Sequence, residues 1–198
     1  MARTRGGAHE ARRDGRAASG ARSVLDLLVI VVCALIVAFG VRTFVAEPFV
    51  IPSASMAGTL KVGDRLIGEK LTYRAGSPKV GDIVTFEDPE QPGQTLIKRV
   101  IATEGQTVEL RDGAVYVDGA ALSEPYTGGK ESVPIDRHAA TLAQDVSYPY
   151  VVPQGSVWVM GDNRTNSLDS RYFGAIPVSS ITSRAVFVFW PPADIGTI

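Results

Sequence analysis

The stretch TLIKRVIAT, residues 95–103, decides the fold of this chain. In a strand, alternation would give each face three residues of LIKRVI, and each face would be apolar except for one cation, Lys98 or Arg99. A strand with two apolar faces is usually covered on both sides by other parts of the protein. We therefore predict a mainly β domain in which this strand is sandwiched and one of the two cations loses contact with water.

Further strand-like runs lie on both sides of this stretch. They are short, rich in β-branched and aromatic residues, and broken by Gly or Pro, and no helix is predicted among them. Asp112-Gly113 indicates a hairpin, and Asp118-Gly119 ends the next strand. The polar segment 123–147 indicates a surface excursion, within a small excursion near 111–150. The predicted β domain covers residues 46–198, with strands within 65–74, 81–87, 106–110, 150–162 and 181–190.

An apolar run, residues 23–45, precedes this domain and reads SVLDLLVIVVCALIVAFGVRTFV. A helix over 24–41 would be about 27 Å long at 1.5 Å per residue, and extension to Val45 would cover the ~30 Å core of a bilayer. Arg42 would then snorkel to the interface. A buried globular helix would show a polar face, which this run lacks. We predict a single transmembrane anchor at 24–45.

A cleavable signal peptide is the alternative interpretation of this run. Ala38-Phe39-Gly40 places small residues at the spacing that a cleavage site needs. Apolar residues continue on both sides of that tripeptide, however, and the 23-residue head is long for such a signal. We therefore expect the anchor to be retained.

The charges of the two ends differ in sign. Residues 1–23 carry six arginines against two acidic residues, whereas the chain from Arg42 onward carries 14 basic and 18 acidic side chains. The basic head predicts a disordered cytoplasmic segment, a single-pass topology and an extracytoplasmic β domain at the cell membrane. The acidic body argues against nucleic acid as a partner.

Few residues of the chain suit a metal or a cofactor. Cys33 is the only cysteine, so no internal disulfide or thiolate cluster is possible, and the two histidines are far apart in sequence. We expect no metal site and no cofactor.

The stretch IPSASMAGTL, residues 51–60, places Ser53 and Ser55 two positions apart with no histidine near them. A serine hydroxyl is a poor nucleophile until a base takes its proton. Desolvation lowers the pKa of a buried lysine by up to ~3–5 units, so Lys98 is a candidate base. By itself, the pattern favours Lys98 as a residue at the rim of the sheet.

The segment MGDNRTNSLDSRYFGAIP, residues 160–177, is dense in Gly, Asp, Asn and Ser. That composition predicts a hydrogen-bonded loop with no regular helix or strand. Its charged side chains are expected to pair with each other locally. They are Asp162, Arg164, Asp169 and Arg171.

Five segments together resemble the boxes of bacterial type I signal peptidases. PSASM, GDRLIGEKLTYR, GDIVTFEDP, LIKRVIATEGQTVEL and GDNRTNSLDSRYFG occur in the family's order and at its approximate spacing, between Phe49 and Pro177. The resemblance implies a membrane-bound Ser/Lys endopeptidase with the signal peptidase fold. Its substrates would be the signal peptides of exported preproteins, cut after an Ala-X-Ala-like motif.

The resemblance also implies roles for individual residues. Ser55 matches the nucleophile and Lys98 the base, while Ser53 matches the serine that joins the Ser55 N–H in the oxyanion hole. Ser167 matches a serine that hydrogen-bonds the lysine. A supporting salt bridge is implied between Asp169 and Arg171.

Two positions depart from the family pattern. Thr165 stands where many members have Asp, and Gly58 stands where Pro is common. We expect an altered hydrogen-bond network around Thr165 and a looser turn after the nucleophile at Gly58. Neither departure touches the Ser/Lys pair.

Apolar side chains around the two serines are candidates for substrate pockets that take small side chains; they are Phe49, Ile51, Leu60 and Ile97. An extended substrate would add as a strand to an exposed sheet edge. Ser55 follows Val45, the end of the anchor, by ten residues, which predicts a site at the membrane surface. The lipid bilayer and the export translocon are the other expected partners.

Two alternative functions compete with this interpretation. A Ser/Lys self-cleaving protease of the repressor type would lack the anchor and would need an internal cleavage segment. A catalytically inactive, membrane-anchored β binding domain would have no reason to keep Ser55, Lys98 and Ser167 together.

Overall fold

The computed structural model describes residues 10–142 and 144–198. These residues form an N-terminal helical unit that ends at Thr43 and a β unit, Phe44–Ile198. The described part of the chain contains twelve strands and three α-helices. In chain order they are α1 (Glu10–Phe44), β1 (Ala46–Val50), β2 (Arg65–Glu69), α2 (Thr72–Ala75), β3 (Ile83–Glu87), β4 (Thr95–Thr103), β5 (Thr107–Arg111), β6 (Ala114–Val117), β7 (Ala120–Ala121), β8 (Tyr150–Val151), β9 (Ser156–Met160), α3 (Ser170–Phe173), β10 (Ile176–Pro177), β11 (Ile181–Trp190) and β12 (Gly196–Thr197).

Helix α1 contains the predicted anchor. Its segment Leu25–Phe44 is 20 residues long and, by length and composition, can cross a membrane. The helix begins at Glu10, so the prediction of disorder for residues 1–23 is wrong over residues 10–23, and residues 1–9 lie outside the described residues. Alanine and arginine are strong helix formers, and residues 10–23 contain no proline, which accounts for the earlier start.

The main sheet has eight antiparallel strands. Its order is β1-β2-β11-β3-β4-β9-β10, and β12 pairs with β11. Its outer strands β1 and β10 do not pair with each other in the described part of the chain, so of the two forms that the fold class allowed, a β-sheet or a barrel-like domain, the strands form an open sheet. The mainly β fold class with one N-terminal apolar helix is confirmed.

Strand β4 lies inside this sheet, between β3 and β9. Lys98 pairs with Val84 of β3, and Arg99 pairs with Met160 of β9. Ile97 belongs to one buried apolar cluster and Val100 to another. The prediction that this strand is covered on both faces is therefore confirmed.

A small sheet of order β7-β6-β5-β8 lies at the two ends of the excursion predicted near 111–150, and residues 122–149 contribute no strand to it in the described part of the chain. Asp112 and Asp118 have φ angles of 51°, and each is followed by a glycine with positive φ. Successive positive φ angles are what tight hairpin turns require. Both predicted Asp-Gly turns are present, since Arg111 pairs with Ala114 and Val117 with Ala120.

Two one-turn helices interrupt segments that were expected to lack helix. The predicted strand 65–74 ends at Glu69, whose carboxylate accepts hydrogen bonds from the N–H groups of Leu71 and Thr72 at the start of α2. Helix α3 lies inside the predicted loop 160–177, where Asp169 caps it by accepting from the Arg171 N–H. In both places a carboxylate satisfies the free N–H groups of a single turn, a local bond that composition does not reveal.

Candidate active site

Ser55, the candidate nucleophile, lies in a tight turn that follows β1. We call residues 53–56 the nucleophile turn. Ser53 is extended, with φ −137° and ψ 161°, and residues Ala54–Met56 form one 3₁₀ turn. Met56 is fully buried in a core cluster, which fixes the turn to the fold. The turn brings Ser53 Oγ to 3.4 Å from Ser55 Oγ.

Lys98 is the buried cation that the sequence predicted. Lys98 is only 3% exposed. Its Nζ lies 2.9 Å from Ser55 Oγ and 2.9 Å from the Ile97 carbonyl oxygen. Desolvation lowers the pKa of Lys98 to about 8, although the carboxylates of Asp169, Asp88 and Asp162 oppose the shift. A lysine with this pKa is partly neutral near physiological pH, as a general base must be.

Ser167 lies beside this pair, but its predicted bond to Lys98 is not formed. Its Oγ is buried and has no hydrogen-bond partner in the described part of the chain. Gly161 lies against it: a Cβ there would overlap both Ser167 Oγ and the Ser55 carbonyl oxygen. The absence of a side chain at Gly161 therefore gives the nucleophile turn room to approach the 160–177 segment, a role that sequence reasoning did not assign.

The predicted pair between Asp169 and Arg171 is formed and almost completely buried. Two parallel bonds of 2.9 Å join the Arg171 guanidinium to the Asp169 carboxylate. Asp169 also accepts from the Gly161 N–H at 3.0 Å, and Arg171 donates to the Arg164 carbonyl at 2.8 Å. The pair thus holds the loop in one conformation from within.

Asp162 and Arg164 were expected to pair with charged residues of the same loop. Instead, each pairs with a residue of a distant part of the chain. Arg99 of β4 donates to both carboxylate oxygens of Asp162, at 2.9 and 2.7 Å, and stacks on the ring of Tyr126 with its guanidinium carbon 4.0 Å from the ring centre. Arg164 forms two bonds to Glu124, at 2.8 and 2.5 Å. Arg99, directly after Lys98, was visible in the sequence as a cation that needs a partner. Nothing in the sequence indicated that Arg164 would pair with Glu124.

The two departures from the family pattern both lie near the segment 123–147. Gly58 has φ +117°, which proline cannot adopt, and a Cβ there would lie 2.6 Å from the Tyr126 carbonyl oxygen. Thr165 is exposed, and Arg164, directly before it, pairs with the carboxylate of Glu124. This segment, predicted to be a surface excursion, therefore packs against the loop and the nucleophile turn.

The predicted pocket residues are core residues in the structure. Ile51, Leu60 and Ile97 belong to one buried cluster, and only Phe49, packed against it, is partly exposed. Leu60 has no exposed surface, so it can shape a pocket only from behind. Burial leaves Ile51, Leu60 and Ile97 little surface for contact with a substrate, and the assignment of these side chains to a pocket stays a prediction.

Comparison with known proteins identifies the family. The profile of the family described as signal peptidase, peptidase S26, matches residues 24–190. The chain belongs to this signal peptidase family. The resemblance drawn from the five sequence segments is thereby confirmed. Signal peptidases are serine endopeptidases that remove signal peptides from preproteins, so the two alternative functions are set aside.

Signal peptidases from several bacteria are similar over most of this chain. A probable signal peptidase I-1 from Synechocystis sp. is 43% identical over 185 residues, which cover 88% of this chain and 87% of the relative. A signal peptidase I from Leptolyngbya laminosa is 41% identical over 172 residues, with coverages of 83% and 78%. A solved signal peptidase I from Enterococcus faecalis is 36% identical, covers 54% of this chain and 95% of its own, and has a TM-score of 0.43.

Proposed function

We propose that this signal peptidase cleaves its substrates with Ser55 as nucleophile and Lys98 as the single general base. The observation that carries the proposal is the 2.9 Å separation of Lys98 Nζ and Ser55 Oγ inside a site from which water is largely excluded. No cluster of three or more His, Cys, Asp or Glu able to hold a metal occurs among the described residues.

Each chemical step uses one of these two groups. Neutral Lys98 takes the Ser55 hydroxyl proton as Oγ attacks the scissile carbonyl carbon. The lysine then gives that proton to the leaving amine, the C–N bond breaks, and an ester to Ser55 remains. Lys98 next takes a proton from water, whose oxygen attacks the ester. Departure of the serine oxygen, reprotonated by Lys98, releases the new carboxyl end.

The developing oxyanion has two candidate donors on the nucleophile turn. Ser53 is exposed, and its hydroxyl lies 3.4 Å from Ser55 Oγ, a weak bond that it can exchange for one to an incoming carbonyl oxygen. The backbone N–H of Ser55 belongs to the same turn. Both donors would strengthen their bonds as negative charge develops on that oxygen.

Replacement of Ser53 by alanine tests the first donor. Loss of one such donor costs on the order of 10²–10³ in turnover, about 3–4 kcal/mol, so Ser53→Ala should lower kcat by roughly that factor with little change in KM. Ser53→Thr keeps the hydroxyl and should lose less. Steady-state kinetics of both variants on one peptide would decide. Equal losses in the two variants, or a defect confined to KM, would make Ser53 a structural residue of the turn.

The substrate and its location follow from the sequence around the site. Ser55 lies ten residues beyond Val45, so the proposed site is at the membrane surface, within reach of an inserted signal peptide. The basic head supports a cytoplasmic N-terminus and an extracytoplasmic β unit at the cell membrane, with the bilayer and the export translocon as neighbours. We further propose cleavage after small residues of the Ala-X-Ala type, with the substrate bound as an added strand.

The anchor should remain attached to the mature protein. Ala38, Phe39 and Gly40 lie within the continuous helix α1, and a peptidase needs an extended segment to bind. N-terminal sequencing of protein extracted from membranes should therefore find the start of the chain. A mature protein that begins at Val41 would show that the apolar run is a cleaved signal peptide.

The whole proposal is tested with the full chain in lipid vesicles and a purified preprotein. We expect one cut, located by mass spectrometry after an Ala-X-Ala-like sequence, and no cut when the two alanines are replaced by bulky residues. Cleavage that ignores this replacement would refute the proposed specificity. Protease protection of the β unit in inverted membrane vesicles would test the orientation, since only an extracytoplasmic β unit is shielded there.

A further inference from the structure

A lysine of the 123–147 segment reaches the nucleophile turn through a single side chain. Lys130 is exposed, yet its Nζ donates a 2.6 Å hydrogen bond to Oδ1 of Asn163, which is only 7% exposed. The same amide donates from Nδ2 to the carbonyl oxygen of Ala54 at 2.9 Å. The Asn163 backbone N–H donates to the carbonyl oxygen of Ser55 at 3.0 Å.

The partners of the Asn163 amide fix which way it points. A carbonyl oxygen only accepts hydrogen bonds, so the amide nitrogen must face Ala54. An ammonium group only donates, so the amide oxygen must face Lys130. Without Lys130, the amide would lose the bond that holds its oxygen on the outer side, and its hold on the Ala54 carbonyl would weaken.

The Ala54 carbonyl and the Ser55 N–H are two ends of one peptide unit. That unit is planar and trans, so its C=O and N–H point in opposite directions. A bond that holds the Ala54 oxygen therefore also aims the Ser55 N–H. Since this N–H is the second oxyanion donor in the proposed function, a rotation of the peptide plane would misdirect it.

We propose that Lys130 is a positioning residue that, through the Asn163 amide, orients the Ser55 N–H toward the oxyanion. The inference rests on the proposed function of that N–H. It assigns the 123–147 segment a part in the reaction, although none of its side chains bonds to Ser55 or Lys98 in the described structure.

Three further contacts hold the segment around Lys130 in place. Glu124 and Ser132 lie on either side of it in sequence, and both bond to the buried guanidinium of Arg164. The Tyr126 carbonyl oxygen lies against Gly58, just beyond the nucleophile turn. The segment is therefore attached to both partners that Lys130 joins, the 160–177 loop and the nucleophile turn.

The test compares Lys130→Met with Lys130→Arg in the full chain. A misaimed donor keeps part of its effect, so Lys130→Met should lower kcat by about threefold to tenfold with an unchanged KM, a fraction of the 10²–10³ that loss of a donor costs. Lys130→Arg keeps the donor and should retain most of the activity. The control is Lys79→Met, which removes an exposed lysine whose side chain has no bond in the described structure and should leave kcat unchanged.

A double-mutant cycle shows whether Lys130 acts through Asn163. If it does, Lys130→Met should add nothing to the loss caused by Asn163→Ala. A purely structural role would instead lower the unfolding midpoint and give independent losses. Additive effects, a change confined to KM, or full activity in Lys130→Met would overturn the inference.

The same assay separates this inference from the proposed function. If Ser53→Ala and Ser55→Ala lose activity while Lys130→Met does not, only the inference about Lys130 fails. If Ser55→Ala stays active, the proposed function itself fails, whatever Lys130→Met shows.

Discussion

Ser55→Ala should abolish cleavage, with a fall in kcat of at least about 10⁴-fold, because the variant has no oxygen to attack the scissile carbonyl. The remaining turn should stay folded. The Ser55 hydroxyl accepts one hydrogen bond from Lys98 and a weak one from Ser53, so the free energy of unfolding should change by about 1–2 kcal/mol. The measurement is single-turnover cleavage of a preprotein by the full chain in lipid vesicles, together with thermal unfolding of the same sample.

A matched serine variant serves as the control for Ser55. Ser179 is exposed in the turn before β11, and Ser179→Ala should cleave at the normal rate. A Ser55→Ala protein with near-normal turnover would exclude Ser55 as the nucleophile. If Ser55→Ala is inactive because it has unfolded, Ser55→Cys decides the question, since it keeps a nucleophilic atom of similar size at position 55. Residual cleavage by Ser55→Cys that a thiol reagent stops would support attack from position 55. No cleavage by a folded Ser55→Cys protein would contradict that attack.

Lys98→Arg should be as inactive as Lys98→Ala, although it keeps the positive charge. The proposed base must be neutral when it takes the proton, and a guanidinium does not lose its proton in proteins. We expect both variants to lose kcat by at least about 10⁴-fold. Substantial activity in Lys98→Arg would make Lys98 an electrostatic or structural residue instead.

The pH dependence of the unmodified chain gives a second readout of Lys98. Only its neutral form is active, so kcat/KM should rise about tenfold per pH unit below pH 8 and level off above it, since the pKa of Lys98 in the free enzyme is about 8. The direction follows from burial, which disfavours the charged form. A profile that is flat from pH 6 to 9 would contradict a base with this pKa.

Lys98→Met provides the stability control for this site. Methionine fills a similar volume without an amine to desolvate, so this variant should be inactive but at least as stable as the unmodified chain. An inactive variant that unfolds at a much lower temperature would leave Lys98→Arg as the deciding comparison, because arginine retains a cation in the site.

The sequence was sufficient to predict the two residues at the centre of the site. Ser55 and Lys98 lie in short segments whose order matches a family, and the two apolar faces of 95–103 indicated a desolvated cation independently. The strand and turn chemistry was also visible, since Asp112-Gly113 and Asp118-Gly119 specify hairpins by their own backbone preferences. These are local properties, which neighbouring residues encode.

The supporting contacts were not predictable in the same way. Glu124 and Lys130 bond to residues 40 and 33 positions further along the chain, from a segment whose polar composition is typical of a solvated loop. Asp162 was expected to pair with a neighbour, but Arg99 is 63 positions away. Such bonds depend on how the chain folds back on itself. The sequence showed Arg99 as a cation that needs a partner, but it contains no signal for which distant carboxylate that partner is. The early start of α1 is, in contrast, a local property. The arginines of the head were interpreted through their charge, and their helix propensity was not considered.

The site is assembled from parts that are synthesised at very different times. Lys98 lies 43 positions after Ser55. Asn163, whose side-chain amide bonds to the Ala54 carbonyl, lies 109 positions after Ala54. A chain made from its N-terminus therefore contains Ser55, the proposed nucleophile, long before it contains the loop that holds the turn around it. Contacts of this range form late in folding, because closing long loops costs chain entropy before any contact is gained. We therefore expect proteolytic activity to arise only after the segment that contains Asn163 has been made and has folded against the turn at Ala54.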